Sequence, residues 1–488
     1  MTNLLKLMAA AFCAVVGNPA GAELEFSPCY LTGSGGNGNL HAQCATWQQP
    51  LDRSNNQGDQ IELSVVKIPS TALDPAPDAF TLINGGPGAS SIDMMVDLRG
   101  LLGLFTRERD VIVIDQRGTG RSAPMTCPGL VDDSVTEMTP KIVSEATQAC
   151  LDALPYDPRF FTTTVGVEDL DALRDALGYE QLSLYGVSYG TRVVMQYMRQ
   201  YPERTRAAII DGVVPPTRPL GLLIARHSQN ALDAALNDCS GHAPCAAAYP
   251  DLATRFNTLR ETLLTEAKPV NLIHPLTGAP TDIEVEYGHL AAWIRFSLYA
   301  PESTALIPLM VYQALEQNNY IPIASSALQM IEQISTSMNY GMHNAVVCTE
   351  DAPFFPDPAE LDTDEIFAAT YLGQEMFDTL IQICGEWPAG VRHPDFKQPL
   401  ESDVPTLVLS GEFDPITPAT WGEEVMPGLA NAKHIIAPGQ GHGIIARGCV
   451  PQLVSDFVED ADPTALDDGC IKHLQRYPFF VDMMGPAP

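Results

Sequence analysis

Apolar positions divide the chain into two kinds of territory. Residues 61–65 alternate apolar and polar side chains, as a half-buried strand does. Apolar runs rich in strand-favouring residues follow at 80–83, 111–114 and 182–185, each ending in a glycine-containing turn, and a further buried strand is predicted at 207–210. Between these runs, residues 167–177 place Leu170, Leu173 and Leu177 on one helical face. Strand, turn and helix in alternation predict a mostly parallel sheet covered on both faces. Ahead of all of them, the glycine-rich stretch at 33–38 reads as a loop.

The pattern changes at Pro215-Pro216-Thr217-Arg218-Pro219. From about 220 to 400 the helical period dominates, as in Leu252, Phe256, Leu259 and Leu263, and strand-like runs almost vanish. They return at 406–410 and 434–437. The expected organisation is one α/β core, 23–214 and 403–488, interrupted by a helical lid at 215–402, an ordinary size for a domain. A chain of 488 residues exceeds the roughly 250–300 at which one core stops growing, which agrees with an insertion.

The N-terminus carries one cation, Lys6, then an apolar stretch at 7–16 and the small-residue pattern Ala20-Gly21-Ala22. Residues 1–22 therefore read as a signal peptide cleaved after Ala22, for a secreted or periplasmic protein. Cys13 follows Phe12 inside the apolar stretch, which argues against a lipoprotein signal. Later apolar runs are too short to span a membrane.

Loss of Lys6 with the leader takes the formal charge from -33 to -34, which repels nucleic acid and anionic membrane surfaces. Ten cysteines remain, an even number in an oxidising compartment. Spacing suggests neighbour pairing of Cys29 with Cys44, Cys127 with Cys150, Cys239 with Cys245, Cys348 with Cys384 and Cys449 with Cys470, although it leaves connectivity open. No C-x-x-C occurs, so a metal site is not expected.

Gly186-Val187-Ser188-Tyr189-Gly190 follows a predicted strand and opens a helix-compatible stretch, the setting of a nucleophile elbow. A serine hydroxyl needs a histidine to take its proton and a carboxylate to orient that histidine. Asp414 and His442 supply them in the order Ser, acid, His, each in a loop after a strand. His434 falls inside a strand and reads as structural; Asp211, which also ends a strand, is the fallback acid. The oxyanion of a tetrahedral intermediate needs two donors. The N–H groups of Gly86, in Asn84-Gly-Gly-Pro-Gly88, and of Tyr189 are assigned to it, since Pro87 has no N–H.

Gly85-Gly-Pro-Gly88, Asp115-Gln-Arg-Gly-Thr-Gly-Arg-Ser122, Gly186-Val-Ser-Tyr-Gly190 and Gly411-Glu-Phe-Asp-Pro-Ile-Thr-Pro418 together resemble the prolyl and tripeptidyl aminopeptidase family of secreted α/β-hydrolase serine peptidases. Cys348-Thr-Glu-Asp351 looks closer to the tripeptidyl branch, and Asn84 stands where prolyl aminopeptidases usually carry His. The resemblance implies an α/β-hydrolase fold, no cofactor, and peptide substrates with a free N-terminus. It also implies lid acids for the substrate ammonium, matched here to Glu350 with Asp351 and Glu386 nearby. Arg117 and Arg121 are expected to brace the loop after Asp115. An esterase or lipase of the same fold would share every catalytic residue, whereas a non-catalytic binding protein would usually lack one.

Overall fold

In the computed structural model, which describes residues 24–33, 39–55, 57–127, 139–356 and 363–486, the apolar runs become adjacent strands of one sheet. The predicted leader lies outside the described residues, as does most of the stretch at 33–38. Strands β1 (Ser27–Thr32), β2 (Asn39–Pro50), β3 (Gln60–Ile68), β4 (Ala79–Ile83), β5 (Asp110–Ile114), β6 (Leu182–Val187) and β7 (Thr205–Asp211) precede the long insertion. It contains β8 (Lys268–Ile273) and β9 (Pro280–Val285), and β10 (Thr406–Gly411) and β11 (Ala432–Ala437) follow it. The sheet runs β1-β2-β3-β5-β4-β6-β7-β10-β11. From β5 to β11 neighbours are parallel; β1, β2 and β3 join antiparallel at one edge. This is the mostly parallel sheet expected from the strand pattern, in the α/β-hydrolase arrangement that the family resemblance implies.

Period-two alternation sorts each central strand between two cores. Leu182 and Leu184 of β6 and Ala208 and Ile210 of β7 face one layer, with the helices Thr163–Ala176 and Tyr189–Gln200. Tyr185, Ala207 and Ile209 face the other, with the helix Val450–Asp460. The parallel strands inside the edge strand β11 are buried on both sides, which is why they read as mostly apolar runs.

The chain between β7 and β10 has its own core, in which Leu232, Phe256, Leu259, Trp293 and Ile323 are buried together. It is mostly helical, but β8 and β9 pair as an antiparallel hairpin where strands had been expected almost to vanish. The hairpin buries Val270, Leu272 and Val285 and exposes the residues between them, too short an alternation to stand out among helices. β1 and β2, placed around the segment read as loop, were also missed. They form a half-exposed edge and are tied by the Cys29–Cys44 disulfide. The other disulfides join Cys127–Cys150, Cys239–Cys245, Cys348–Cys384 and Cys449–Cys470.

Arg117 is fully buried and holds Asp169 through Nε at 2.6 Å and Nη2 at 2.9 Å, while also donating to the carbonyls of Leu51 and Phe160. Arg121 is half-exposed and pairs with Asp93 at 3.0 Å. Removing one partner of a buried pair strands the other charge, so Arg117→Ala is expected to cost about 3–5 kcal/mol in reversible denaturation. A loss under about 1 kcal/mol would mean that Arg53, which also reaches Asp169, compensates for it alone.

Candidate active site

Strand β6 runs into the helix Tyr189–Gln200 with only Ser188 between them, and Ser188 has φ 57° and ψ -127°. A side-chain-bearing residue at positive φ stores strain, and the surrounding contacts must hold it there. Its N–H donates to the Asp211 carbonyl at 2.9 Å, and its carbonyl accepts from the Thr191 hydroxyl at 2.6 Å. The flanking glycines let the chain cross itself: a Cβ on Gly186 would lie 2.3 Å from the Gly190 carbonyl oxygen, and one on Gly190 equally close to that of Ile83. A Cβ on Gly85 would lie 2.8 Å from the Ser188 Cβ, so the turn after β4 sits directly against the serine.

His442 lies in the loop after β11. Its Nδ1 is 2.8 Å from Asp414 Oδ2, and its ring packs against Gly212, where a Cβ would lie 3.1 Å from the imidazole Cε1. Ser188 and His442 therefore both border the Asp211–Gly212 turn. Asp414 is buried, and its other oxygen accepts the N–H groups of Ile416 and Thr417. The Thr417 hydroxyl donates to Asp414 Oδ2 at 2.7 Å and lies 3.1 Å from His442 Nδ1. Burial alone would raise the Asp414 pKa, but the imidazolium and these hydrogen bonds outweigh it and leave it lowered. Burial likewise disfavours a charged His442, yet Asp414, with Asp211 beyond it, raises its pKa above the ordinary value.

Asp211, the fallback acid, is engaged elsewhere. Its carboxylate accepts from the N–H groups of Ile444 and Ile445 and from the Tyr185 hydroxyl, tying the histidine loop to the central strands. Burial pushes its pKa up to about 6. His434 sits on β11 against the Ser410 hydroxyl at 3.0 Å, away from this group.

Gly86 follows the glycine that sits against Ser188, and Tyr189 follows Ser188 itself. Neither the Gly86 nor the Tyr189 N–H donates to another backbone group among the described residues, and Gly86 is exposed. Tyr189 opens its helix, where free N–H groups and the helix dipole favour negative charge. The insertion grips both walls of the site. The Tyr299 carbonyl accepts the His442 N–H at 2.9 Å, and its ring packs edge-on against the imidazole at 5.1 Å. On the other wall, the Asn339 N–H donates to the Gly88 carbonyl at 3.0 Å, and His343 Nδ1 lies 3.1 Å from that of Pro87.

Each of the acids expected to bind an ammonium group already has a partner within the protein. Asp351 is fully buried and already paired with Arg192 at 2.8 Å and Lys397 at 2.7 Å. Glu386 is partly exposed and accepts from Gln148 at 2.9 Å. Glu350 is fully buried with both oxygens bonded to Thr163. Abundant acids obscured this, because sequence does not reveal which ones have a partner. Thr417 and Tyr299 were not anticipated. A hydroxyl three residues after the acid was a readable signal for the first; nothing in sequence marks the second. Among the described residues no group of His, Cys, Asp and Glu is arranged to hold a metal ion.

Two family models match the chain, one described as alpha/beta hydrolase fold over residues 78–238 and one as TAP-like protein over residues 369–470. The chain is 25% identical over 472 residues to serine protease Hip1 of Mycobacterium tuberculosis, covering 90% of this chain and 89% of that protein. It is 25% identical over 466 residues to the tripeptidyl aminopeptidase of Streptomyces coelicolor, covering 89% and 84%. It is 24% identical over 465 residues to carboxylesterase B of Mycobacterium tuberculosis, covering 87% and 86%.

Proposed function

We propose that this chain, an α/β hydrolase and serine hydrolase with a TAP-like C-terminal part, is a secreted exopeptidase that removes short units from free peptide N-termini. Ser188 attacks the scissile carbonyl. His442 takes its proton at Nε2 and returns it to the leaving amine, while Asp414 fixes the tautomer with the proton on Nδ1. The N–H groups of Gly86 and Tyr189 receive the oxyanion, and water then releases the acyl group. The observation that carries this reading is the His442–Asp414 pair at 2.8 Å beside a serine at positive φ.

Exopeptidase action is supported by the insertion, whose Tyr299 and 339–343 segments engage the histidine and oxyanion loops and so restrict approach to chain ends. Five disulfides fit an oxidising compartment and hence secretion. The likeness to a carboxylesterase favours one rival, an esterase using the same residues. Peptide amides with a free amine, the same peptides N-blocked, and simple acyl esters separate the two. Free-amine peptides are expected to show a kcat/KM at least tenfold above their blocked forms; faster turnover of blocked peptides or esters would overturn the exopeptidase reading.

A further inference from the structure

Glu350 ends the helix Tyr340–Glu350 and has no exposed surface. Its Oε1 accepts the Thr163 N–H at 2.7 Å and its Oε2 the Thr163 hydroxyl at 2.7 Å. The same hydroxyl lies 2.6 Å from the Tyr189 phenol oxygen, and that phenol has no other hydrogen-bond partner among the described residues. Three buried groups from three helices therefore form a single file that ends on the residue directly after Ser188.

Counting protons gives the file a direction. Ionised, Glu350 only accepts, so Thr163 must spend its one hydroxyl proton on it, and Tyr189 donates to Thr163. Oε1 is occupied by the Thr163 N–H, so a proton added to Glu350 goes to Oε2. Glu350 then donates to Thr163, Thr163 turns its proton to Tyr189, and the phenol hydrogen is left buried without an acceptor, which is costly. We propose that Glu350 is a positioning residue for the oxyanion hole: its ionised carboxylate ends a one-way relay, Tyr189 to Thr163 to Glu350, that fixes Tyr189 for its backbone N–H to receive the oxyanion.

The proposal rests on the serine-hydrolase reading of Ser188 and Tyr189. The charged and titratable groups facing Glu350 are Asp351 at the C-cap of its own helix, Arg192 and Tyr189 on the helix after Ser188, and Lys397 before β10. Asp351 is balanced by the two cations. Burial is the main cause that pushes the Glu350 pKa up, to about 7, so the relay reverses within the working range of a histidine-dependent enzyme.

Glu350→Gln locks the reversed relay, because the amide carbonyl can keep the Thr163 N–H only if the NH2 donates to the Thr163 hydroxyl. Its kcat is expected to fall about 10- to 100-fold at pH 8, below the full loss of an oxyanion donor, with KM for free-amine peptides within about twofold. The acid limb of log kcat against pH, approaching slope two in the wild type where Glu350 and His442 both protonate, should fall to slope one. Thr163→Val should lose the second slope too, and Thr163→Ser should restore it, which keeps the test open if Glu350→Gln fails to fold. Wild-type kcat and slope in both Glu350→Gln and Thr163→Val would overturn the relay. So would a rise in KM confined to free-amine peptides, which would make Glu350 the ammonium partner. Failure of a fluorophosphonate to label Ser188 in the wild type would instead overturn the reading beneath it.

Discussion

Replacing Ser188 with alanine is expected to lower kcat by about 10⁶ while leaving the fold and KM nearly unchanged. The large figure follows from the triad acting as a unit: without the hydroxyl no acyl-enzyme forms, and His442 and Asp414 have nothing to activate. The Gly86 and Tyr189 donors and substrate binding would sustain a residual rate of about 10³–10⁴ over water. The backbone of Ser188 carries the elbow's hydrogen bonds to Asp211 and Thr191, so the small side chain can be lost without undoing the turn. Steady-state kinetics with a matched circular dichroism spectrum check this; turnover within tenfold of wild type would remove Ser188 from the chemistry.

Asp414→Asn is expected to lower kcat by about 10⁴ through the tautomer of His442. Oδ1 of Asp414 is held by two N–H donors, from Ile416 and Thr417, so the asparagine oxygen stays there and its NH2 takes the place of Oδ2. That NH2 faces His442 Nδ1, the atom Asp414 now meets at 2.8 Å. A donor there forces the ring proton onto Nε2, which can no longer accept the serine proton. Asp211 offers no rescue while its carboxylate is bonded to Ile444, Ile445 and Tyr185. Activity of Asp414→Asn within tenfold of wild type, together with collapse of Asp211→Asn, would reassign the acid.

Wild-type kcat should also rise with pH from the acid side, because His442 must be neutral to act as base. Asp414 and Asp211 raise its pKa against the pull of burial, so the limb should be centred above an ordinary histidine's value.

What sequence made legible follows from distance along the chain. The serine elbow is a local object: two glycines, one serine and a strand before them state the geometry within a few residues, and the contacts around Gly186 and Gly190 show why no side chain fits there. Strands buried on both faces announce themselves by composition, as β4, β5, β6 and β7 do. The half-exposed β1 and β2 and the β8–β9 hairpin do not, because their signal is a short alternation next to turn residues or among helices. Glu350 matches the family's ammonium-binding acid in sequence, but its partner Thr163 is 187 positions away and Tyr189 is 26 positions from Thr163, so only the fold brings the three together. Asp351 reads as equally available in sequence, but Arg192 and Lys397, also distant along the chain, pair with it.

The most direct test of the central claim is to label the protein with a fluorophosphonate and map the modified peptide by mass spectrometry. One adduct is expected, on Ser188, abolished by Ser188→Ala and strongly slowed by Asp414→Asn. An adduct on another serine, or none on a folded sample, would contradict the Ser188–His442–Asp414 assignment.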